Sequence, residues 1–580
     1  MKRMTMMREA TTIEVLAGEG GRRRWRLGRP AVLAGSVLGL LFMTGCAKPT
    51  PESKASARAP ATETEPVVAQ QPAIPPEAIC GGTNKIDKFL GGRMPIGFYI
   101  YLYNWKQNKD QSATDLDEAL ADMAGRGFNC LYVGGASDSP AWRRLLEQCV
   151  KHRIAVIPQL DFAYLRKADD DVAAKAAQAI PFIRKYKDHP AVAAFSVCEE
   201  PNVHQMPPLK RYYEAILREV PDAPLHLIFC YLPPLKKLEA PYPGIIGTDR
   251  YPFWWEFGSG GHRATPVSAL NWFTGQMDVY SREALARGAE FQAVFMAGSL
   301  EFFGTEQQIR KSFYPEMSEA QRDECLRNFK TNASQKNQGL AEAHDGLYRW
   351  WKYYRAPANC TRAMTWLSVQ KGARSILLWF WSPLGEDMKG FAHRENGKPG
   401  REYNCSITGW DGKGTPQLEE YTETAKELQR YARLIRAMDR ELEAEEDAPS
   451  KPVFSIVGAN LSQQSFSVPG YEGKVVVVVN TAVGSWCDGA SPTFLTPKTV
   501  YRIDDEGNAI DYVPFVEARV VEGCVLSDKL ECVDLETGET VPMDADGFVK
   551  FSLRPGGGRI LFISPKGGGE WVRMKKAFQL

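Results

Sequence analysis

The sequence predicts an α/β fold: a (β/α)8 TIM barrel followed by a smaller all-β sandwich domain. Two observations support this prediction. Between residues 89 and 445, short apolar runs alternate with helical patterns, which is typical of a parallel sheet with crossover helices. Beyond residue 451, the pattern changes to the two-residue period of half-buried strands. A chain of 580 residues is too long for one ordinary core, so more than one unit is expected.

Eight apolar runs are the candidate barrel strands. Early in the series their starts lie about 30 residues apart, which is the length of one strand–helix unit. Eight such strands indicate a closed barrel. The candidates are IGFYIYLYNW (96–105), FNCLYVGG (128–135), IAVIPQLDF (154–162), VAAFSVCEE (192–200), LHLIFCYL (225–232), GIIGTDRY (244–251), FQAVFMAG (291–298) and SILLWFWS (375–382).

Helical patterns fill the gaps between these runs, for example TDLDEALADMAGRG (114–127) and SPAWRRLLEQCVKHR (139–153). The gap between the seventh and eighth strands is much longer, and we expect a helical insertion there at about residues 305–358. The segment 416–442 has the spacing of a last barrel helix. Alternating runs such as KVVVVVNTA then place the β-sandwich domain at residues 451–566.

The amino terminus predicts an exported protein. A basic patch at residues 21–29 precedes a 15-residue apolar run, which is shorter than the roughly 20 residues that span a bilayer. Residues 1–45 therefore indicate a cleaved signal peptide. The end of this run, LFMTGC, resembles a bacterial lipobox, which implies lipidation of Cys46; the alternative is that Cys46 is incidental to an ordinary signal. Residues 46–88, rich in Pro, Ala, Ser and Thr, predict a disordered tether.

Charge and composition narrow the possible partners. The 71 Lys and Arg residues nearly cancel the 70 Asp and Glu residues, so no global field attracts nucleic acid or an anionic membrane. Membrane contact is then expected only through the lipid anchor. Aromatic residues make up 11% of the chain, which is consistent with a surface that stacks on rings. A carbohydrate is the partner that these features favour.

The fourth candidate strand ends in two acids and a proline, AFSVCEEPN (194–202). Strict alternation predicts that Ser196, Cys198 and Glu200 face the barrel interior, while Phe195, Val197 and Glu199 face the helices. Glu200 is then expected at the carboxyl-terminal mouth, where barrel enzymes carry their chemistry. The alternative is that both acids cap the next helix or pair with arginine on the rim.

Further acids and aromatic residues end other strands at the same predicted rim. Sugars offer hydroxyl groups to carboxylates and C–H faces to aromatic rings, so this combination favours a carbohydrate site. The residues concerned are Asp161 after the third strand, Asp249, Tyr251 and Trp254 after the sixth, Trp379 and Trp381 at the eighth, and Tyr101 and Tyr103, which share a face of the first with Tyr99 and Trp105.

HPAVAAFSVCEEPN resembles the strand-four signature of (β/α)8 glycoside hydrolases of the two-carboxylate, clan-A-like superfamily. IIGTDRYPF and GARSILLWFWS are similar to the sixth and eighth strands of the same group. The resemblance covers about residues 94–566. It implies that Glu200 is the general acid/base, that Trp381 forms the floor of a sugar site, and that Glu199 and Asn202 lie near the substrate.

The sequence departs from this family at two places. Glu199 stands where the family usually has an Asn that binds the sugar 2-hydroxyl. The family nucleophile ends the seventh strand, and the best match here is Glu301, a few residues beyond that strand. Asp249 and Glu256 are the alternatives. By resemblance, we expect hydrolysis with retention of configuration.

Other chemistries lack their sequence motifs. The seven histidines show no HExxH pattern, and there is no G-x-S-x-G elbow or P-loop, so no metal and no cofactor is expected. Two function classes remain: an anchored glycosidase that cuts a poly- or oligosaccharide, and a barrel that only binds glycans. The distance from Glu200 to a second carboxylate distinguishes them, because hydrolysis needs the pair.

Overall fold

The computed structural model describes residues 85–101, 113–165, 170–252, 266–298, 300–305, 340–343, 347–353, 355–379, 414–441, 453–486 and 512–580, with a few isolated positions between these ranges. The predicted signal peptide, Cys46 and nearly all of the predicted tether therefore lie outside the described residues. Within the described residues, no helix is both long enough and apolar enough to cross a bilayer.

Eight parallel strands form the barrel, which confirms the predicted fold. Their order in the sheet is β3-β2-β1-β11-β7-β6-β5-β4, and every hydrogen-bonded pair is parallel. Two parallel bridges, Val156–Val192 and Gln159–Ser196, join β3 to β4 and close the ring. The strands are β1 (Ile96–Tyr101), β2 (Cys130–Gly134), β3 (Ala155–Pro158), β4 (Phe195–Glu199), β5 (Leu225–Phe229), β6 (Ile245–Asp249), β7 (Glu290–Phe295) and β11 (Ser375–Leu378).

Local capping signals set the helix ends. Ser139 caps α3 and is followed by Pro140 at the first helical position, while Thr415 and Pro416 begin α9 in the same way. The helices are α1 (Lys85–Leu90), α2 (Ala113–Gly125), α3 (Pro140–His152), α4 (Val172–Tyr186), α5 (Met206–Glu219), α6 (Leu232–Lys236), α7 (Pro266–Leu285), α8 (Ala358–Gln370), α9 (Pro416–Arg430), α10 (Ala432–Ala437) and α11 (Glu570–Phe578).

The short helix α1 closes the amino-terminal end of the barrel. Its Ile86 and Leu90 pack in the same hydrophobic cluster as the inward-facing residues of β1, β2 and β3. An ion-pair triad holds α1 in place: Arg436 of α10 contacts Asp87 at 2.8 Å and both carboxylate oxygens of Glu290 at 3.0 Å. The mouth formed by the carboxyl ends of the strands is therefore at the opposite end from α1.

Strands, rather than helices, form the described ends of the insertion between β7 and β11. They are β8 (Leu300–Thr305), β9 (Leu340–Ala343) and β10 (Leu347–Tyr353), which pair antiparallel in the order β8-β10-β9. The expectation of a helical insertion is wrong for these segments. Aromatic side chains dominate LYRWWKY (347–353), and such residues favour a pleated strand. Most of residues 306–339 lie outside the described part of the chain.

An antiparallel sheet domain follows the barrel, as predicted. Its larger sheet has the order β12-β14-β15-β22-β19-β20, a second sheet has the order β13-β18-β21, and β16 pairs with β17. The strands are β12 (Asp439–Arg440), β13 (Phe454–Val457), β14 (Leu461–Ser467), β15 (Lys474–Asn480), β16 (Gly484–Trp486), β17 (Tyr512–Pro514), β18 (Arg519–Val525), β19 (Leu530–Asp534), β20 (Glu539–Thr540), β21 (Phe548–Leu553) and β22 (Gly558–Pro565).

The strand β15 joins this domain to the barrel. Val475, Val477 and Val479 belong to the barrel's hydrophobic cluster, whereas Val476 and Val478 belong to the cluster between the two sheets. Both faces of the strand are thus covered, which explains its unbroken run of valines. On the barrel side, β15 packs on α8, and every residue of α8 from Asn359 to Gln370 is buried.

Candidate active site

An irregularity in β4 sets the direction of its two acids. The register between β4 and β5 shifts between Ser196 and Glu199, which is the signature of a β-bulge. Ser196 faces inward and accepts a hydrogen bond from the Tyr132 hydroxyl at 2.9 Å. Cys198 turns outward, and its thiol donates to the Leu165 carbonyl at 3.4 Å. The alternation predicted for Cys198 and Glu199 is therefore wrong, because the bulge interrupts it.

Glu199 consequently points into the barrel, where two donors hold its carboxylate. The Tyr99 hydroxyl donates to Oε1 at 3.2 Å, and the Gln159 side-chain amide donates to Oε2 at 3.0 Å. Tyr99 itself stacks on Tyr132, with ring centroids 4.2 Å apart. Burial and the charge of Glu199 raise the pKa of Tyr99 well above its usual value, so this phenol remains a donor.

Glu200 follows directly after β4 and adopts an unusual backbone conformation. Its φ of +46° lies in the left-handed region, which non-glycine residues rarely occupy. The Glu200 amide donates to the Ile228 carbonyl at 2.8 Å, so the residue is held at the end of the β4–β5 ladder. Backbone strain of this kind is concentrated at functional sites, and here it falls on the acid that the sequence singles out.

Asp249 ends β6 and meets Glu200 across the mouth of the barrel. Asp249 is only 7% exposed. The Tyr251 hydroxyl donates to Asp249 Oδ2 at 3.1 Å. Burial, then the charge and hydrogen bond of Glu200, then the charge of Glu199 raise the pKa of Asp249 well above its usual value. The described mouth therefore contains three neighbouring carboxyl groups.

Arg250, a cation next to this cluster, is held by aromatic rings of α7. Its guanidinium group lies 4.9 Å from the Tyr280 ring centroid and 5.7 Å from that of Trp272, and it also donates to the Tyr280 hydroxyl. These are cation–π distances. Arg250 lowers the pKa of Asp249, but this effect is smaller than those that raise it.

Two aromatic residues form a stacked pair at the same rim. The rings of Tyr251 and Trp379 lie 5.6 Å apart with an interplanar angle of 16°. The Trp379 amide donates to the Phe295 carbonyl at 3.0 Å, which anchors it at the carboxyl end of β11. Since the Tyr251 hydroxyl also reaches Asp249, the stacked pair adjoins the carboxyl cluster.

The structure thus brings together Glu199, Glu200, Asp249, Tyr251 and Trp379 from the predicted set. Asn202 has a different role. Its side-chain oxygen accepts hydrogen bonds from the amides of His204 and Gln205, while the Gln205 side chain accepts one from the Asn202 amide, which forms a capping box. Asn202 therefore shapes the turn after the acids.

Of the other predicted residues of the barrel mouth, only Asp161 has a described side chain. Asp161 begins a short 3-10 helix (Asp161–Ala163) soon after β3. Glu301 lies in β8 and Tyr101 at the end of β1, and only their backbone is described. Tyr103, Trp254 and Trp381, with the alternative nucleophile Glu256, lie outside the described residues.

The prediction missed Gln159 and Tyr132, which support the acids from neighbouring strands. Gln159 is the one amide in the apolar run IAVIPQLDF, and this could have marked it as an inward-facing polar residue. Below them, His226 contacts Gln292 at 2.9 Å, and Gln292 donates to Ser375 at 3.1 Å. No group of side chains in the described ranges has the arrangement of a metal site.

Comparison with known proteins finds similarity in fold. No protein-family model matches the chain, and no curated protein matches its sequence. Solved structures similar to it include the GH2 β-galacturonidase from Eisenbergiella tayi, at 14% identity and a TM-score of 0.35, covering 58% of this chain and 51% of that one. The chain thus spans about half the length of that enzyme.

Two further similar structures are glycosidases of other types. The glycoside hydrolase family 5 mannosidase from Rhizomucor miehei has 10% identity and a TM-score of 0.34, with 58% of this chain and 94% of that one covered. The α-amylase from Anoxybacillus has 11% identity and a TM-score of 0.38, with coverage of 82% and 99%. At these values the similarity concerns the fold alone.

Proposed function

We propose that this protein is a glycoside hydrolase that acts on a poly- or oligosaccharide, with Glu200 as its general acid/base. The observation that carries the proposal is the cluster at the barrel mouth. Three carboxyl groups, Glu199, Glu200 and Asp249, adjoin the stacked rings of Tyr251 and Trp379. Carboxylates accept hydrogen bonds from sugar hydroxyls, and an aromatic ring packs against the C–H face of a sugar.

Each carboxyl group has a distinct proposed role. Glu200 is half-buried, and it would donate a proton to the leaving glycosidic oxygen. Glu199 is held by Tyr99 and Gln159, and each of its oxygens can still accept a further hydrogen bond from a sugar hydroxyl. Asp249 ends β6 at the same mouth and would support the acid/base.

A retaining enzyme holds a second carboxylate about 5 to 5.5 Å from its acid/base, on the other side of the scissile bond. We assign this nucleophile to Glu301, by its place in the chain soon after β7, with Asp249 and Glu256 as the alternatives, and propose retention of configuration.

A glycan-binding protein without catalysis is the second candidate. The residues that follow β7 favour this candidate, because a nucleophile is expected there and Met296, Ala297 and Gly298 include no acid. A screen of oligo- and polysaccharides should separate the two functions if binding and the appearance of new reducing ends are measured on the same samples. A product that the wild type forms and Glu200→Gln does not form supports the hydrolase. Tight binding with no product supports the binding protein.

Trp379 should contribute to substrate affinity through its ring. Aromatic packing of this kind contributes about 0.5 to 1.5 kcal/mol beyond the buried area, so Trp379→Ala should raise KM about tenfold. The change in kcat should be smaller, because the ring contacts the substrate before and during the reaction. Steady-state kinetics measures both values. Trp379→Phe keeps a stacking ring and should stay within about threefold of the wild type. An equal rise in KM in Trp379→Ala and Trp379→Phe would contradict this role.

Lipid anchoring at Cys46 is a separate proposal about location. The lipobox-like LFMTGC segment supports it. The wild-type protein, expressed from its full sequence in a bacterial host, should partition with membranes and into detergent. Cys46→Ala should be soluble, whereas Cys80→Ala, a control in the same segment, should behave like the wild type. Unchanged partitioning of Cys46→Ala would exclude the anchor.

A further inference from the structure

We propose that a cleft between α9 and the sheet domain is a second glycan-binding site, which holds a neutral part of the polysaccharide chain away from the barrel mouth. The cleft has a volume of about 560 Å³, which is in the range of ligand pockets. One wall is a face of α9, and the other consists of the end of β21, the start of β22 and the turn after β19. The choice of a glycan as the ligand rests on the proposed function, whereas the cleft itself does not.

The carboxylates that line this cleft are all paired with arginines. Arg554 contacts Glu423 at 3.3 Å and Glu427 at 3.4 Å, while Arg559 pairs with Glu536. A charged ligand would have to compete with these existing partners. A hydroxyl group would not, because it can donate to a carboxylate and accept from a guanidinium group at the same time. The cleft therefore suits a ligand that carries many neutral hydroxyl groups.

Two further cations, Lys426 and Arg430, line the same wall and are exposed. Alone, they would attract an anionic ligand. Glu423 and Glu427 lie on the same face of α9, within one helical turn of them, and oppose an anion at this position. The combined charge of the wall thus favours a neutral ligand over an acidic one.

Arg554 and Glu427 have hydrogen-bonding capacity left for such a ligand. The contacts of Arg554 are longer than the roughly 2.7 to 2.9 Å of strong charge-assisted hydrogen bonds, and its side chain is 46% exposed. Oε2 of Glu427 also accepts from Trp366 Nε1, at 3.4 Å. Oε1 of Glu427 has no hydrogen bond to any residue in the described ranges, so it can accept one from a sugar hydroxyl.

Arg559, in contrast, holds the wall of the cleft in place. Its side chain is 13% exposed and donates to the Ser552 carbonyl at 2.7 Å. It also pairs with Asp534 at 3.4 Å and with Glu536, so it joins β22 to β21 and to the end of β19. A wall that is fixed before the ligand arrives reduces the entropy lost on binding.

None of the residues that line the cleft is aromatic, which distinguishes it from the mouth with its stacked Tyr251 and Trp379. Binding there should depend on hydrogen bonds and be weaker than binding at the mouth. A weak second site that holds the same chain would raise the local concentration of polysaccharide at the mouth. Long chains should gain from it, whereas short oligosaccharides cannot occupy both sites.

The first test is affinity electrophoresis of the full chain in native gels that contain β-glucan, mannan, xylan or starch. The double variant Glu200→Gln with Trp379→Ala serves as the background, because it should cleave the probe slowly and bind it weakly at the mouth. Adding Arg554→Ala should lower the remaining affinity about tenfold, since a charged hydrogen-bond donor is lost. Glu427→Gln keeps the shape of the side chain but weakens the acceptor, and it should lower the affinity about threefold.

Arg126→Ala is the matched control, because Arg126 also pairs with a glutamate of α9, Glu419, but lies outside the cleft. It should leave the affinity unchanged. Equal retardation of the Arg554→Ala and Arg126→Ala proteins would overturn the second site, and so would the absence of retardation of the wild type in all four gels. Far-ultraviolet circular dichroism checks that each variant is folded.

Salt distinguishes a neutral ligand from an acidic one. Between about 0.05 M and about 0.5 M salt, the affinity for a neutral polysaccharide should change by less than about twofold, because no charge on the ligand is screened. Pectin, an acidic polysaccharide, should not bind more tightly than the neutral probes at low salt. Tighter binding of pectin that falls steeply with salt would overturn the neutral ligand in favour of an anion at Lys426 and Arg430.

Kinetics separates this inference from the proposed function. On a polysaccharide that the wild type cleaves, Arg554→Ala should raise KM severalfold more than it does on a short oligosaccharide of the same sugar. An equal change in KM for the two substrates would contradict the second site and leave the glycosidase intact. Retardation that behaves as expected while no glycan is cleaved would contradict only the proposed function.

Discussion

Replacing Glu200 with glutamine should lower the turnover of a natural glycan about 100- to 10,000-fold, the usual contribution of general acid–base catalysis. Glutamine has the size of glutamate, so the barrel mouth should keep its shape. It cannot give a proton to the leaving oxygen. Initial rates on the substrate found in the glycan screen, with the far-ultraviolet circular dichroism of both proteins, measure this effect.

The leaving group provides an internal control for this variant. The leaving group of an activated aryl glycoside departs with little help from a proton. Glu200→Gln should therefore slow the first step, in which the sugar is transferred to the enzyme, much less for an aryl glycoside than for a natural glycan. Glu239→Gln is a control on the surface, where Glu239 pairs with Lys210, and it should keep the activity of the wild type. Near-wild-type turnover of a natural glycan by Glu200→Gln would exclude this residue as the acid.

Replacing Arg436 with methionine should destabilise the protein by about 3 to 5 kcal/mol, the cost of removing one partner from a buried ion pair. The Arg436 side chain is 3% exposed and lies between Asp87 and Glu290. Burial opposes its charge, but these two carboxylates raise its pKa above the usual value. Without the guanidinium group, two acids face each other at the closed end of the barrel. Denaturant unfolding at pH 7 measures the loss.

The surface pair of Arg126 with Asp122 and Glu419 gives a matched comparison. Arg126 is more exposed, and Arg126→Met should cost no more than about 1 kcal/mol. Adding Asp87→Asn to Arg436→Met should recover part of the lost stability, because it removes one of the two negative charges that Arg436 neutralises. If Arg436→Met and Arg126→Met are equally stable, the triad does not hold α1 in place.

The barrel strands could be predicted because their residues are buried on both faces. All eight apolar runs correspond to strands of the sheet, and the acids at the ends of the fourth and sixth runs meet at the mouth. The bulge in β4 could not be predicted in this way. It depends on how β4 pairs with β5 and closes against β3, and no residue type in FSVCE requires it. This single bulge therefore reverses the directions that were predicted for the side chains of Cys198 and Glu199.

Two other differences between the prediction and the structure could have been anticipated from the sequence. Asn202 and Gln205 have the spacing of a capping box, a local hydrogen-bond pattern that requires no knowledge of the fold. The aromatic run at 347–353 favours a strand by its composition. The bonds from Tyr99 and Gln159 to Glu199, in contrast, join residues 100 and 40 positions apart, and only the closed barrel brings them together.

The burial of α8 has a consequence for the modularity of this protein. Carbohydrate-active barrels can be imagined as modules to which other domains are added or exchanged, but here the boundary passes through a continuous core. Gly558 of β22 lies so close to Trp366 of α8 that a Cβ atom added there would be 2.1 Å from the indole ring, and Arg362 donates to the Pro555 carbonyl at 2.9 Å. A chain cut after residue 441 would expose one side of a helix that has no solvent-facing side. The sheet domain therefore shares one core with the barrel, and a hybrid protein built from this barrel would have to retain it.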